Sequence, residues 1–324
     1  MESVVEVLAS GFANAGHEVV LVTRTALTEG KVEKEWGFNL HRNPPIFQYW
    51  RWANKADVIL HNCVSLKHLI PDLFYNHKFF VIHHTWFSKT KRGQLTFTAS
   101  LKRWVSRWVH NCYISPAIEQ SLGIKGKVIP NPYDSKTFKI HPSIQRTKNL
   151  VFLGRLVSDK GCDILLQALY LYVQAYPNST PRLTVIGDGP EREGLEAYAQ
   201  QHLPEQVTFV GKLQGEALTA CLNEHQIMVV PSIWDEPFGV VALEGLACGC
   251  LIIGSERGGL KDAIGPCGWT FPNGNALALA KLLQEVWTNR AEWEEKYAAI
   301  PAHLYRHQPA QVVNAYLDYF SQYV

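Results

Sequence analysis

Apolar runs of three to six residues recur along this chain, each too short for a helix, with helical stretches between most of them. They stand at Glu18–Thr23, Ala56–Leu60, Phe79–Ile82, Cys112–Ile114 and Lys127–Ile129, then at Leu150–Leu153, Leu183–Ile186, Val207–Val210, Ile227–Val230, Leu251–Ile253 and Gly268–Phe271. This alternation predicts mostly parallel sheets, because a parallel connection needs a long crossover and a helix supplies one. The alternation is interrupted at Lys139–Lys148, a stretch with Pro142, several charges and little periodicity, which reads as a connector. Two open α/β domains in tandem are therefore expected, over residues 1–140 and 149–305. A chain of 324 residues is long enough for two full cores, and 47% hydrophobic with 19% charged residues excludes disorder.

The first domain starts unusually. Ser3–Ala15 has helical periodicity, with Val4, Val5, Leu8 and Phe12 on one side, and the strand Glu18–Thr23 follows Gly16. A parallel α/β domain normally opens on a strand. Either this domain is unusual or its first strand and first loop lie outside the chain.

Charge is unevenly distributed. Residues 1–148 hold 20 Lys+Arg against 10 Asp+Glu, a balance of +10, and the remainder holds 11 against 19, a balance of −8. The halves are expected to meet different partners. Seven cysteines (63, 112, 162, 221, 248, 250, 267), an odd and scattered set without CxxC pairs, point to a reducing, cytoplasmic compartment and no metal framework. Cys221 and Cys248 are expected as small buried side chains. Glu2 and Glu6 stand where a secretory leader would be basic, and no apolar run approaches the ~20 residues that span a bilayer. No nucleic-acid partner is expected.

The segment richest in chemistry is Ile227–Ser255. A buried strand ends at Pro231-Ser232, a loop carries Glu236 and Phe238-Gly239, and a helix from Val240 to Ala247 is apolar except for Glu244. Glu244 is either the exposed residue of a packed helix or a carboxylate held against a core, where it needs donors to offset desolvation. The first-turn amides near Phe238, Gly239 and Val240 are unpaired within the helix, and sugar hydroxyls suit both amides and carboxylates.

Other strand ends carry complementary groups. Gly154-Arg155 with Lys160-Gly161 places two cations beside glycines, a reasonable diphosphate clamp or solvated surface. Gly187-Asp-Gly-Pro-Glu-Arg-Glu-Gly194 follows a strand and opens a helix, but Arg192 occupies the third glycine position of GxGxxG, which argues against NAD. His83-His84-Thr85 follows the strand Phe79–Ile82 and is open to catalytic, metal or core readings. Beyond Lys89-Thr-Lys-Arg92, a helix over about Leu95–His110 groups Leu101, Trp104, Val105 and Trp108 into an apolar stripe flanked by Lys102, Arg103 and Arg107. This helix either packs on the core or contacts an anionic membrane or phosphate-bearing acceptor.

Taken in order, FLGRLVSDKG from Phe152, VIGDGP from Val185, VTFVGKL from Val207, EPFGVVALE from Glu236 to Glu244 and the glycine pair 258–259 resemble the retaining glycosyltransferases of family 4, with their E-x7-E element. IPNPYD at Ile129–Asp134 resembles the family's IPNGVD, with Pro132 in place of glycine. The resemblance implies the GT-B fold, two Rossmann-like parallel-sheet domains facing each other across a cleft, with a last helix within 309–324 returning to the first. It implies transfer of a sugar from a UDP- or GDP-linked donor to an acceptor sugar, glycolipid or other hydroxyl compound, without metal or cofactor. By resemblance, Arg155 and Lys160, beside Gly154 and Gly187, bind the diphosphate. Glu244 takes the ribose hydroxyls, and Glu236 faces the sugar with the amides at Phe238, Gly239 and Val240. The main chain of Gly211, Lys212 and Leu213 holds the base, and His84, with His83 as runner-up, is the amino-domain histidine. Glu2 resembles the glutamate after the family's glycine-rich first loop, which places that loop upstream. An impaired nucleotide-sugar binding protein, or a fragment needing a partner chain, is the alternative. A phosphorylase is disfavoured for want of a lysine site for pyridoxal phosphate. Peripheral contact with the inner membrane surface is a further expectation.

Overall fold

A helix that returns the chain to the start of a parallel sheet also covers one of its faces, so the order of strands decides which loops become neighbours. The computed structural model describes residues 2–25, 37–64, 78–88, 94–179 and 181–324. They divide into two units, Met1–Pro132 with Pro309–Val324, and Tyr133–Gln308.

The first unit begins with α1 (Glu2–Asn14), β1 (Val20–Thr23), β2 (Asn39–Arg42), α2 (Ile46–Ala53), β3 (Val58–Asn62) and β4 (Lys78–His83). It continues through α3 (Phe97–Val105), a 3-10 turn (Ser106–Trp108), β5 (His110–Tyr113), α4 (Pro116–Leu122) and β6 (Lys127–Val128). Its described strands form two parallel sheets, β1-β2 and β3-β4-β5-β6. Ser115 caps α4 through Ile118 N, with Pro116 at its first turn and left-handed Gly123 at its end.

The second unit runs β7 (Lys148–Leu153), α5 (Cys162–Ala175), β8 (Leu183–Ile186), α6 (Arg192–His202), β9 (Val207–Gly211), α7 (Gly215–Asn223) and β10 (His225–Val230). It ends with α8 (Val240–Ala247), β11 (Leu251–Ser255), α9 (Leu260–Ile264), β12 (Gly268–Phe271), α10 (Ala276–Thr288) and α11 (Ala291–Arg306). The sheet is parallel throughout, in the order β12-β11-β10-β7-β8-β9. Its centre is dry: Leu150, Val151, Ile227, Met228, Val229, Leu251, Ile252 and Ile253 are all buried, with Leu165, Leu166 and Leu169 of α5. The chain builds outward from β7 to β9, then restarts on the other side of β7 with β10. That reversal is a topological switch point, where a crevice opens at the carboxyl ends of the strands.

The last helix, α12 (Pro309–Phe320), belongs to the first unit. It lies on α1, where Phe12 meets Tyr316 edge-on at 6.3 Å and Phe320 at 5.8 Å. Val312, Val313, Tyr316, Tyr319 and Phe320 are buried there, a gross apolar contribution on the order of 10 kcal/mol before chain entropy.

Several expectations from sequence differ in detail. β2 and α2 escaped notice, because Asn39-Leu-His-Arg42 holds one aliphatic residue and α2 starts behind Pro45 without a side-chain cap. The expected connector 139–148 is tied to the second unit: Asn223 bonds Lys139 O and His141 N at 3.0 and 2.8 Å, and Arg146 donates to Cys248 O at 2.7 Å. The expected stripe on α3 splits. Val105 is buried while Trp104 and Trp108 are exposed, because successive residues lie roughly 100° apart around a helix. Cys248 is buried but Cys221 only partly so, and all seven thiols are free. The basic run 89–92 and the Glu2 side chain lie outside what is described.

Candidate functional site

The strand ends of β7, β8 and β9 are laced together by glycines. Gly154 N donates to Ile186 O at 3.0 Å and Gly187 N to Gly211 O at 2.9 Å. Gly187 holds φ 144°, and a side chain there would strike the Gly154 carbonyl, so two backbones pass where only glycine fits. Leu156 N donates to Asp188 O at 2.9 Å and Glu191 N to Leu156 O at 3.1 Å, which fixes the loop after β7. Arg155 stands exposed on this braced loop and makes no ion pair with a described residue. Arg192 opens α6 with its guanidinium turned to Glu196 at 2.7 Å and Asp188 at 3.6 Å.

At the switch point the loops after β7 and β10 meet. Lys160 Nζ lies 2.6 Å from Glu236 Oε1, and Ser232 Oγ donates to the same oxygen at 2.8 Å. The backbone holds this group from both sides. Ile233 N and Trp234 N both donate to Asp159 O at 3.0 and 3.2 Å, and Gly259 N donates to Glu236 O at 2.7 Å. Gly258 adopts φ 77° against the Glu236 carbonyl, where a side chain would collide, which explains the glycine at 258, while Gly259 holds an ordinary φ of −88°. Asn273 Nδ2 donates to Ser232 O at 3.1 Å, and Arg257 pairs with Asp235 at 3.1 Å. Glu236 is thus held through one carboxylate oxygen, and Oε2 takes no partner from the described residues.

Helix α8 begins at Gly239, which has φ 104° and offers no side-chain cap, so the amides at Val240 and Val241 stay unpaired within the helix. Phe238 anchors the entry by burial, with its ring 5.6 Å from that of His307. Glu244 stands one turn beyond Val240 on the same face. Its surface is partly accessible, yet enough protein surrounds the carboxyl that burial pushes its pKa from 4.5 to about 7, with a smaller contribution from Asp134. Asp134 is exposed and its field is screened, so desolvation dominates. Asp134 Oδ1 is engaged with Lys136 N and Thr137 N at 3.1 and 3.2 Å. Beyond the edge strand, Lys212 is exposed and Leu213 partly buried, and neither side chain is hydrogen-bonded to the Glu236 group.

In the first unit the two histidines separate. His83 closes β4, and its Nε2 lies 2.8 Å from Asn111 Oδ1. Asn111 Nδ2 already donates to Ser106 O at 2.8 Å and Val109 O at 3.2 Å, so its oxygen accepts and His83 Nε2 carries the proton. Tyr113 stacks on that ring at 5.0 Å. This geometry makes His83 a core histidine. His84 Nε2 is buried and has no hydrogen-bond partner among the described residues. Burial pushes both rings from 6.5 down to about 4, so both are neutral at pH 7. They line a cavity of about 240 Å³ with Cys63, Thr85, Phe87 and Lys102.

Sequence reading missed Ser232, taken there only as the end of a strand, and the role of Asp159, which acts through its carbonyl and leaves no signature in residue type. Among the described residues, no cluster of three or more His, Cys, Asp or Glu is arranged for a metal ion.

The family model of the glycosyl transferases group 1 matches residues 134–300, just over half of the chain. An uncharacterized glycosyltransferase of Methanocaldococcus jannaschii is 33% identical over 118 residues, 36% of this chain and 29% of its own length. Glycogen synthase of Mycobacterium tuberculosis is 35% identical over 140 residues, 42% of this chain and 33% of its own length. Phosphatidyl-myo-inositol mannosyltransferase of Mycobacterium leprae is 26% identical over 238 residues, 70% and 62% of the two chains. The matched stretch spans less than two thirds of each of these relatives. Among solved structures, the Anabaena protein HepE with UDP is similar with a TM-score of 0.80 at 16% identity, covering 99% of this chain and 96% of that one. Sucrose-phosphate synthase from Thermosynechococcus elongatus reaches 0.79 at 20% identity, covering 97% and 91%. These likenesses carry the GT-B fold. With a parallel sheet that reverses at a charged, glycine-lined switch point and a family match across that unit, the chain belongs to the glycosyl transferases group 1 family.

Proposed function

We propose that this chain moves a hexosyl group from a nucleotide-diphosphate sugar to an acceptor hydroxyl with retention of configuration, as a member of family 4. The observation that carries this reading is the meeting of Lys160, Glu236 and Ser232 at the switch point, with exposed Arg155 on the adjoining loop. An ammonium and a guanidinium there suit a diphosphate. Glu244, a desolvated carboxyl with no ionic partner among the described residues, suits a vicinal ribose diol that would donate to it. Glu236 Oε2 and the amides near Phe238, Gly239 and Val240 then serve the sugar, while the loops that start at Gly154 and Gly187 border the phosphates. Gly211, Lys212 and Leu213 serve the base through the main chain, and His84, in the first unit, is by resemblance the family's amino-domain histidine.

In the reaction the bond from the anomeric carbon to the phosphate oxygen breaks and the bond to the acceptor oxygen forms on the same face. The acceptor proton passes to the departing phosphate, and the nucleoside diphosphate leaves. Arg155 and Lys160 stabilise the charge that develops on it, supplying in side chains what a metal ion supplies elsewhere. UDP- and GDP-linked donors are the first candidates. The names of glycogen synthase and phosphatidyl-myo-inositol mannosyltransferase among the relatives support an acceptor that is a growing polysaccharide, a glycolipid or another glycoconjugate. Seven free thiols fit a reducing, cytoplasmic setting.

The test is a panel of UDP- and GDP-sugars scored by thermal shift, followed by turnover with the donor that stabilises. Arg155→Ala and Glu244→Ala are each expected to lower turnover by about a hundredfold or more. Unchanged turnover in both would remove the reading, and donor binding without turnover in the parent chain would favour a binding protein.

A further inference from the structure

Helix α3 turns the wrong face to water. Its inner side is formed by Ala99 and Val105, both buried, and its outer side carries Phe97 at 84% exposure, Trp104 at 51% and Trp108, in the following turn, at 68%. With half-buried Leu101 these stand at spacings of four, three and four residues, a single stripe along one helix face. The two indoles lie side by side, 6.3 Å between ring centroids. At 150–250 Å² for each aromatic side chain, the stripe exposes roughly 400–500 Å² of mostly apolar surface, the size of a functional patch and not of scattered surface residues.

The surroundings of the stripe are cationic. Among the described residues between 94 and 132 there are five Lys+Arg, at 102, 103, 107, 125 and 127, and a single acid, Glu119. Arg107 is exposed between Trp104 and Trp108, and Lys102 and Arg103 are half-buried on the same helix. Arg103 donates through its Nε to Leu122 O at 2.9 Å, which ties the helix to the loop that carries exposed Lys125 and Lys127. A protein partner with an apolar groove would fit the aromatic stripe, but this density of cations without acids calls for a surface that is itself anionic. Tryptophan at the border between an apolar layer and charged headgroups completes the match.

We propose that the α3 face, Phe97, Leu101, Trp104 and Trp108 with Arg107, docks the first unit on a bilayer surface carrying anionic phospholipid headgroups. The apolar stripe enters the headgroup boundary and the cations pair with phosphates around it. Ala99 and Lys102 of the same helix also line the cavity that holds His84, so the docked helix is one wall of that cavity. The docking does not depend on the reaction proposed above.

The test is sedimentation of the full chain with vesicles of phosphatidylcholine alone or mixed with phosphatidylglycerol, at low and high salt. Binding to the mixed vesicles is expected, weakened by salt and nearly absent on phosphatidylcholine. Phe97→Ser/Trp104→Ser/Trp108→Ser, all at exposed positions, is expected to weaken partitioning tenfold or more with an unchanged melting temperature. Arg107→Glu is expected to weaken it about fivefold or more on the mixed vesicles. Absence of binding by the parent chain at low salt would overturn the proposal, as would equal binding by the triple variant. A parent dimer that the triple variant turns to monomer, without vesicle binding by either, would assign the face to a second copy instead.

Discussion

The Glu244 carboxyl is expected to make the second unit less stable as pH rises, and Glu244→Gln to relieve it. Burial raises its pKa from 4.5 to about 7 in the folded protein. Below 4.5 both folded and unfolded chains hold the proton and nothing is lost. Between 4.5 and 7 the unfolded chain releases it and the folded chain does not, so stability falls by ~1.4 kcal/mol per pH unit and levels off above 7. The full span corresponds to about 3 kcal/mol as an upper figure, and relaxation around a partly accessible carboxyl brings it to about 1–3 kcal/mol. Buried His83 and His84 work in the opposite sense. Their folded values near 4 mean that stability is lost as pH falls below 6.5, so the parent profile is mixed. The informative quantity is therefore the difference between Glu244→Gln and parent, in which the other titrations cancel. Scanning calorimetry from pH 4.5 to 8.5 is expected to show no gain for the variant at the acid end. Above pH 7 it should gain roughly 3–10 °C in the transition of the second unit. Donor binding should move the other way: it favours the ionised carboxylate, so parent affinity falls below pH 7 and the glutamine variant lacks that dependence. Parallel stability profiles for parent and variant would refute the argument that Glu244 is desolvated.

Other expectations follow from the same geometry. Lys160→Ala leaves the half-buried Glu236 without its cation and is expected to cost about 1–3 kcal/mol in urea unfolding. Adding Glu236→Gln should restore most of that stability but not donor binding, and restored binding would detach the pair from the ligand. Gly187→Ala places a methyl group against the Gly154 carbonyl in a backbone region side chains avoid, for about 2–4 kcal/mol lost in the second unit alone. A melting curve indistinguishable from the parent would contradict that crossing. Gly11→Ala drives a methyl group into Val313 between α1 and α12 and should cost about 1–3 kcal/mol in the first unit, largely recovered by adding Val313→Ala. Lack of recovery would mean the two helices are not in contact there.

The repeated strands of the second unit were legible from pattern because a strand buried on both faces must be apolar along its length. Leu183–Ile186 and Gly268–Phe271 coincide with their predicted bounds, and helix Val240–Ala247 is marked by left-handed glycines at 239 and 249. The polar strand β2 and the uncapped helix α2 were not legible, because their stability comes from neighbours and not from their own residues. The stripe on α3 was legible as apolar, but periodicity ranks residues around an axis without saying which side meets the core. Sequence alone determined which chemical groups follow the strands: Arg155, Lys160 and Glu236 in loops rich in glycine, and Glu244 in the helix after them. Only the tertiary structure decided that Lys160 and Glu236, 76 residues apart, share one hydrogen bond, since that requires β10 to return beside β7. It alone separated His83 from His84 by giving one of them Asn111, and it alone raised the pKa of Glu244. Both are properties of surrounding atoms, which residue identity does not carry.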